Sequence, residues 1–177
     1  MEAYVTGIDI IDEKGRIFHG VDYGHAAVRT PEDGKGTPAG WMHNAGGGTN
    51  YIRGAAVPQS IVVVWNSLVE PQAYMVSFDI PADIRSEMKK KHRPTCKLKN
   101  EKTITSYRNH VAIGLAPGGI ARVSIMGLCL EPMEVGRFEA INLKRSEELK
   151  ERYGESRFLR PATIRYLENN SIPYGSW

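Results

Sequence analysis

The sequence predicts an α+β, β-rich fold, an antiparallel sheet or sandwich built from hairpins, with a few short helices, two of them near the C-terminus. Three observations predict it. Apolar residues over most of the chain recur at strand spacing. Eighteen Gly and ten Pro punctuate the 177 residues at short intervals, which favours strands and turns over long helices. The last third changes to helical spacing. The expected organisation is one domain over 1–177, with a β-rich body over about 1–143 and a helical C-terminal extension over about 144–177.

Ala3 to Ile11 reads as a first strand, Glu13-Lys14-Gly15 as a turn, and Arg16 to Val21 as a return strand. Thr30 to Gly54 is a long Gly-rich passage in which Trp41, Met42, Tyr51 and Ile52 are the large apolar anchors. A loop of this length in a compact domain is usually functional or partly disordered. An apolar ribbon follows, Val57 to Pro81. Ile61 to Trp65 is continuously apolar, as in a strand covered on both faces. Tyr74, Val76, Phe78 and Ile80 alternate with Met75, Ser77 and Asp79, the period of a half-buried strand. The short connection Asn66 to Gln72 makes the pair antiparallel.

Pro81-Ala82-Asp83 opens a short helix to about Lys91, with Ile84 and Met88 four apart on its inner face and lysines in its last turn, where they complement the helix dipole. A second hairpin spans Tyr107 to Gly127. Val111, Ile113 and Leu115 alternate on one strand, Val123 and Ile125 on the other, and Ala116-Pro117-Gly118-Gly119 specifies a type II turn. Met133 to Leu143 adds a further strand. Ser146 caps a helix ending at Gly154, and Pro161 opens a last helix through Glu168.

Composition excludes several classes. With 41% hydrophobic and 24% charged residues the chain is an ordinary globular one. No stretch reaches the ~20 apolar residues of a membrane helix. Net charge is +3. The locally basic segment Lys89-Lys90-Lys91-His92-Arg93, with Lys97, Lys99, Lys102 and Arg108, reads as a solvated helix end and loop, or as a patch steering an acidic partner. A nucleic-acid site wants aromatics interleaved with the charge, and Tyr107 alone is close; no nucleic-acid partner is expected.

No catalytic constellation emerges, so the chain is expected not to be an enzyme, with no catalytic residue, no metal and no cofactor. His19, Asp22, Tyr23 and His25 form a dense polar cluster, but a zinc site needs at least three protein ligands, and hydrogen bonding at a strand end is the simpler role. The glycines of His43 to Asn50 lack the lysine of a phosphate loop. There is no Gly-x-Ser-x-Gly elbow. Cys96 and Cys129 fit no metal spacing, and the residues alone point to free thiols, although in an oxidising compartment they would pair.

The ribbon Val57-Pro58-Gln59-Ser60-Ile61 to Trp65-Asn66-Ser67-Leu68-Val69-Glu70, followed by Tyr74 and Asp79-Ile80-Pro81, resembles the pattern of a bacterial lipoprotein family, domain of unknown function family 2931. Val111 to Gly119 is similar to its second signature. The Asp12-Glu13-Lys14-Gly15-Arg16 turn and the terminal Pro-Tyr-Gly-Ser-Trp fit as well. The resemblance implies an exported protein carried to the periplasm, an outer-membrane lipoprotein in full-length form, with Met1 standing where a signal and lipid-anchoring segment was removed. That anchor, absent here, is the membrane contact it implies. It also raises the expectation of a Cys96–Cys129 bond.

Relatives of this kind imply an immunity protein of the type VI secretion system, which binds a cognate secreted effector toxin, a lipase or phospholipase, and blocks it. The expected partner-binding residues are Trp41, His43, Asn44, Tyr51 and Arg93, on the Gly-rich loop and the basic loop. The alternative is a small-ligand or glycan-binding envelope lipoprotein using the same loop.

Overall fold

The structure, a computed structural model, describes residues 2–26, 41, 49–70, 72–143 and 159–177. It is β-rich and antiparallel, as the sequence predicts. The first sheet has six strands: β1 (Ala3–Asp12), β2 (Ile17–Phe18), β3 (Gly24–His25), β4 (Pro58–Ser67), β5 (Gln72–Asp79) and β11 (Ile141–Leu143). Their order is β11-β5-β4-β1-β2, with β3 also on β1. The second sheet is a meander of β8 (His110–Ala116), β9 (Ile120–Gly127) and β10 (Leu130–Glu139), in the order β10-β9-β8. A two-stranded arm of β6 (Thr95–Cys96) and β7 (Lys102–Thr103) stands apart. Among the described residues the α-helices are α1 (Ala82–Lys89) and α2 (Pro161–Asn169).

The apolar ribbon lies at the centre. β4 pairs with β1 on one side and β5 on the other. The continuously apolar stretch of β4 is nevertheless not covered equally on both faces: Val62 and Val64, pointing the other way, are only half-buried, whereas Ile61, Val63 and Trp65 are fully inside. Ala121, Val123 and Ile125 of β9 join them in one core, with Val111, Ile113 and Leu115 of β8 packed alongside. The two sheets therefore share a core. Phe78 of β5 stacks on Phe138 of β10 at 4.7 Å, and Trp65 packs on Tyr74 at 5.4 Å. α1 seals one edge through Met88 and Ile84, as its four-residue spacing predicts.

Three expectations need correction. The return strand expected over Arg16 to Val21 is β2, two residues long, because Gly20 takes a positive φ and Asp9 captures its N–H. The strand expected over Met133 to Leu143 is two strands in different sheets. The chain leaves β9 at Glu139, bonds Ala140 N–H to Gly119 O at 2.8 Å, and continues as β11 on β5. Cys96 and Cys129 are not the free thiols that the residues alone suggest; they form the disulfide that the family resemblance leads one to expect, Cα–Cα 5.3 Å. It closes a loop across 33 positions, worth about 3–4 kcal/mol in the chain-entropy model. The helix expected from Ser146 to Gly154 lies outside the described residues.

Asp12 explains how the first hairpin meets the ribbon. It is fully buried at the end of β1. Its carboxylate accepts the N–H groups of Lys14, Arg16 and Ala56 and two hydrogen bonds from the Arg16 guanidinium, at 2.6–3.1 Å. Arg16 also donates to Gly54 O. One side chain thus ties the β1–β2 turn to the entry of β4. Burial pushes its carboxyl up, but these donors outweigh burial and hold it well below the usual carboxylate range.

Candidate functional site: one pole of the second sheet

Along β9, odd-numbered residues enter the core and Arg122, Ser124 and Met126 point the other way, half-buried. Their partners across the ladder, Gly114, Ala112 and His110 of β8, share that outer face. Here the structure places two of the expected residues. The Trp41 ring lies directly on Gly114: a Cβ there would stand 2.8 Å from ring atoms Cε3 and Cζ3. Tyr51 lies edge-on to His110, ring centres 6.0 Å apart, and is 79% exposed. Trp41 from the middle of the Gly-rich passage and Tyr51 near its end therefore both meet β8, four residues apart on one strand face. Glu134 completes the face, taking Arg122 Nε at 2.7 Å and Arg137 Nε at 3.4 Å. His43 and Asn44 lie outside the described residues.

Arg93 belongs to another element, the arm over residues 92–106. His92 and Ser106 exchange backbone hydrogen bonds at its base, and β6 pairs with β7 further out. Beyond Cys96 the chain makes a 3-10 turn, Lys97–Lys99, and reverses through Asn100 and Glu101, both at positive φ. Glu87 of α1 anchors the base, with His92 Nε2 at 2.9 Å and Arg108 Nη1 at 3.3 Å. The disulfide bonds the outer part of the arm to the β9–β10 turn at Leu128-Cys129, and Ser106 Oγ donates to Leu128 O at 2.7 Å. Tyr107 follows Ser106, and its carbonyl sits so close to Gly127 that a Cβ there would collide with it. The arm, Tyr107, Leu128 and the Tyr51–His110 pair thus gather at one end of the second sheet.

The opposite end is a clasp. Glu70, after β4, accepts the Gly118 N–H at 2.8 Å, the Tyr174 hydroxyl at 2.9 Å and the Tyr74 hydroxyl at 3.1 Å, all on Oε1. The turn after Pro117, the ribbon and the C-terminal Tyr-Gly pair converge on this one oxygen. Burial, then the charge of Glu70 beside it, pushes the Tyr74 phenol far above its usual value. Tyr174 is more than half exposed, but desolvation of its hydroxyl against Glu70, and then its hydrogen bond to that carboxylate, push it up to about 12. These phenols stay neutral and donate, which is structural work.

The polar cluster near residue 20 disperses. His19 Nδ1 pairs with Asp9 at 2.9 Å, His25 lies edge-on to Tyr4, and Asp22 accepts from Asn50. The Gly20 N–H, then His19, hold the Asp9 carboxyl below its usual value. No group of three His, Cys, Asp or Glu able to hold a metal occurs among the described residues. No helix among them is long and apolar enough to cross a membrane.

Residue-level reading of the sequence missed Gly114, His110, Arg122 and Glu134. Gly114 carried a usable signal: a glycine inside an alternating strand marks close approach of another group.

Comparison with known proteins places the chain. The model of the family described as Protein of unknown function (DUF2931) matches residues 1–175, and the chain belongs to that family. No curated protein and no solved structure matches it.

Proposed function

We propose that this protein is a non-enzymatic immunity protein of the periplasm, an outer-membrane lipoprotein in full-length form. It binds a cognate type VI secretion effector, a lipase or phospholipase, and blocks it. The observation that carries the binding reading is the outer face of β8, where Trp41 and the exposed Tyr51 are seated by Gly114 and His110. Aromatic anchors on a rigid strand, beside an Arg-Glu-Arg cluster, have the composition of a protein-binding surface. The disulfide supports an oxidising compartment.

The test is purification of this protein with a candidate secreted type VI lipase or phospholipase effector, followed by lipase activity at equimolar ratio. The expected result is a stable complex and loss of activity, with Tyr51→Ala weakening the complex about tenfold while leaving thermal stability unchanged. Absence of both complex and inhibition at micromolar concentrations overturns the reading.

A further inference from the structure

Charge is unevenly distributed along this chain. Between Lys89 and Arg108 stand eight Lys or Arg residues and a single acid, Glu101, leaving 15 basic and 19 acidic residues elsewhere. Three of the eight are occupied: Lys89 pairs with Glu13, and Lys90 and Arg108 pair with Glu87. The other five, Lys91, Arg93, Lys97, Lys99 and Lys102, are exposed and form no ion pair among the described residues. Self-repelling cations on one short arm cost stability unless something opposes them.

Apolar side chains stand exposed in the same place. Leu98 at the arm's turn is 79% exposed, Leu128 48% and Tyr107 41%. Leu98 and Leu128 sit near Cys96 and next to Cys129, so the disulfide holds their chain segments together. With Tyr51, four of the exposed large apolar residues of the described chain collect at this pole. An apolar centre rimmed by charge is the anatomy of a protein interface. Rigid stapling removes much of the ordering cost that a flexible loop incurs on binding. The pole also lies at the far end of the second sheet from the clasp, near which β1 begins, Ala3 opposite Ser67.

We infer that the disulfide-stapled arm is the primary docking surface for an acidic face of the partner protein. Leu98, Tyr107 and Leu128 form its centre, and Lys97, Lys99, Lys102 and Arg93 steer the approach. This rests on the partner-binding reading and deepens it, because it names the partner's chemistry and moves the centre of contact from the Gly-rich loop to the arm. Rim lysines act mainly on the association rate, and the apolar centre on dissociation.

The experiment measures association and dissociation rates with the same purified lipase at low and high salt, for the wild type, the triple variant K97E/K99E/K102E, Leu98→Asp, and the control Ile17→Asp, an exposed apolar residue of β2. Each variant is first checked for an intact disulfide and unchanged melting temperature. The triple variant is expected to lose at least about tenfold in association rate and most of its salt dependence. Leu98→Asp dissociates about tenfold faster, and Ile17→Asp behaves as wild type. A wild-type complex that ignores both tip variants overturns this inference and leaves the immunity reading standing. No wild-type complex at all overturns both. Binding of the wild type, and not of the tip variants, to phosphatidylglycerol vesicles, with an unaltered lipase complex, assigns the tip to a lipid surface instead.

Discussion

Two carboxylates, Asp12 and Glu70, account for much of what the recognisable stretches of this sequence do. Asp12 contributes stability as an anion, since its donors hold it below the unfolded value. That contribution is fully present above the unfolded carboxyl value of about 4 and is lost as pH falls towards its folded value. Asp12→Asn is therefore expected to melt lower than the wild type at neutral pH, with the gap closing below about pH 4, measured by thermal unfolding against pH. Glu70→Ala leaves the Gly118 N–H and the Tyr74 hydroxyl without their acceptor, and should cost about 2–3 kcal/mol; Glu70→Gln, which keeps an acceptor oxygen, should cost about 1 kcal/mol. Gly119 and Gly15 offer a controlled pair. Both have positive φ, but a Cβ at Gly119 would stand 2.8 Å from the Tyr74 ring, while one at Gly15 meets open space. Gly15→Ala should cost about 1 kcal/mol from backbone conformation alone, and Gly119→Ala about 2–4 kcal/mol. Equal costs would mean that the clasp yields freely.

Single elements show where sequence patterns suffice. β4 follows from a continuous apolar run, and β5, α1, β8 and β9 from alternation, from a proline opening a helix and from the Pro117-Gly118-Gly119 turn, because each is decided within ten residues. The β10–β11 step does not follow. Met133 to Leu143 reads as one strand, and only the Ala140 N–H bond to Gly119 and the free edge of β5 turn it into two. The arm is equally silent in sequence, since β6 and β7 are two residues each and carry no periodicity. Its order depends on the Cys96–Cys129 bond, a contact across 33 positions. Reduction, or Cys96→Ser with Cys129→Ser, should lower stability by about 3–4 kcal/mol and lower the melting temperature accordingly. The same double variant should slow partner association, because the tip is no longer held; unchanged binding would count against a pre-organised arm.

The whole molecule has two poles joined by the second sheet. At one, Glu70 gathers the ribbon, the β8–β9 turn and the C-terminal Tyr174. At the other, the disulfide gathers the basic arm, Tyr107, Leu128 and the Tyr51–His110 pair. Tyr74 and Tyr174 predict behaviour at high pH. Both phenols are raised above their unfolded value of about 10. Their contribution is present below that value and is lost as pH rises through it, because the unfolded chain ionises while the folded one resists. The melting temperature should fall on going from about pH 9 to 11, and Glu70→Gln, which removes the charge beside both phenols, should flatten that fall. Of the candidate site, Trp41, Tyr51 and Arg93 were legible as conspicuous residues in unpatterned sequence. The face that Trp41 and Tyr51 meet was not, because it is made by Gly114 and His110 from β8 and by Arg122 and Glu134 from two further strands, while Arg93 lies apart on the arm.

The sequence by itself determined the β-rich antiparallel architecture, the central ribbon, the positions of α1 and α2 and the family, because strand period, turn chemistry and helix entry are local properties of the chain. Only the tertiary structure decided that Cys96 meets Cys129, that one apparent strand serves two sheets, and that Glu70 joins three distant stretches. It also set which exposed side chains share a pole. Those are pairings between residues tens of positions apart, fixed by the packing of two sheets on one core, and no local pattern encodes them.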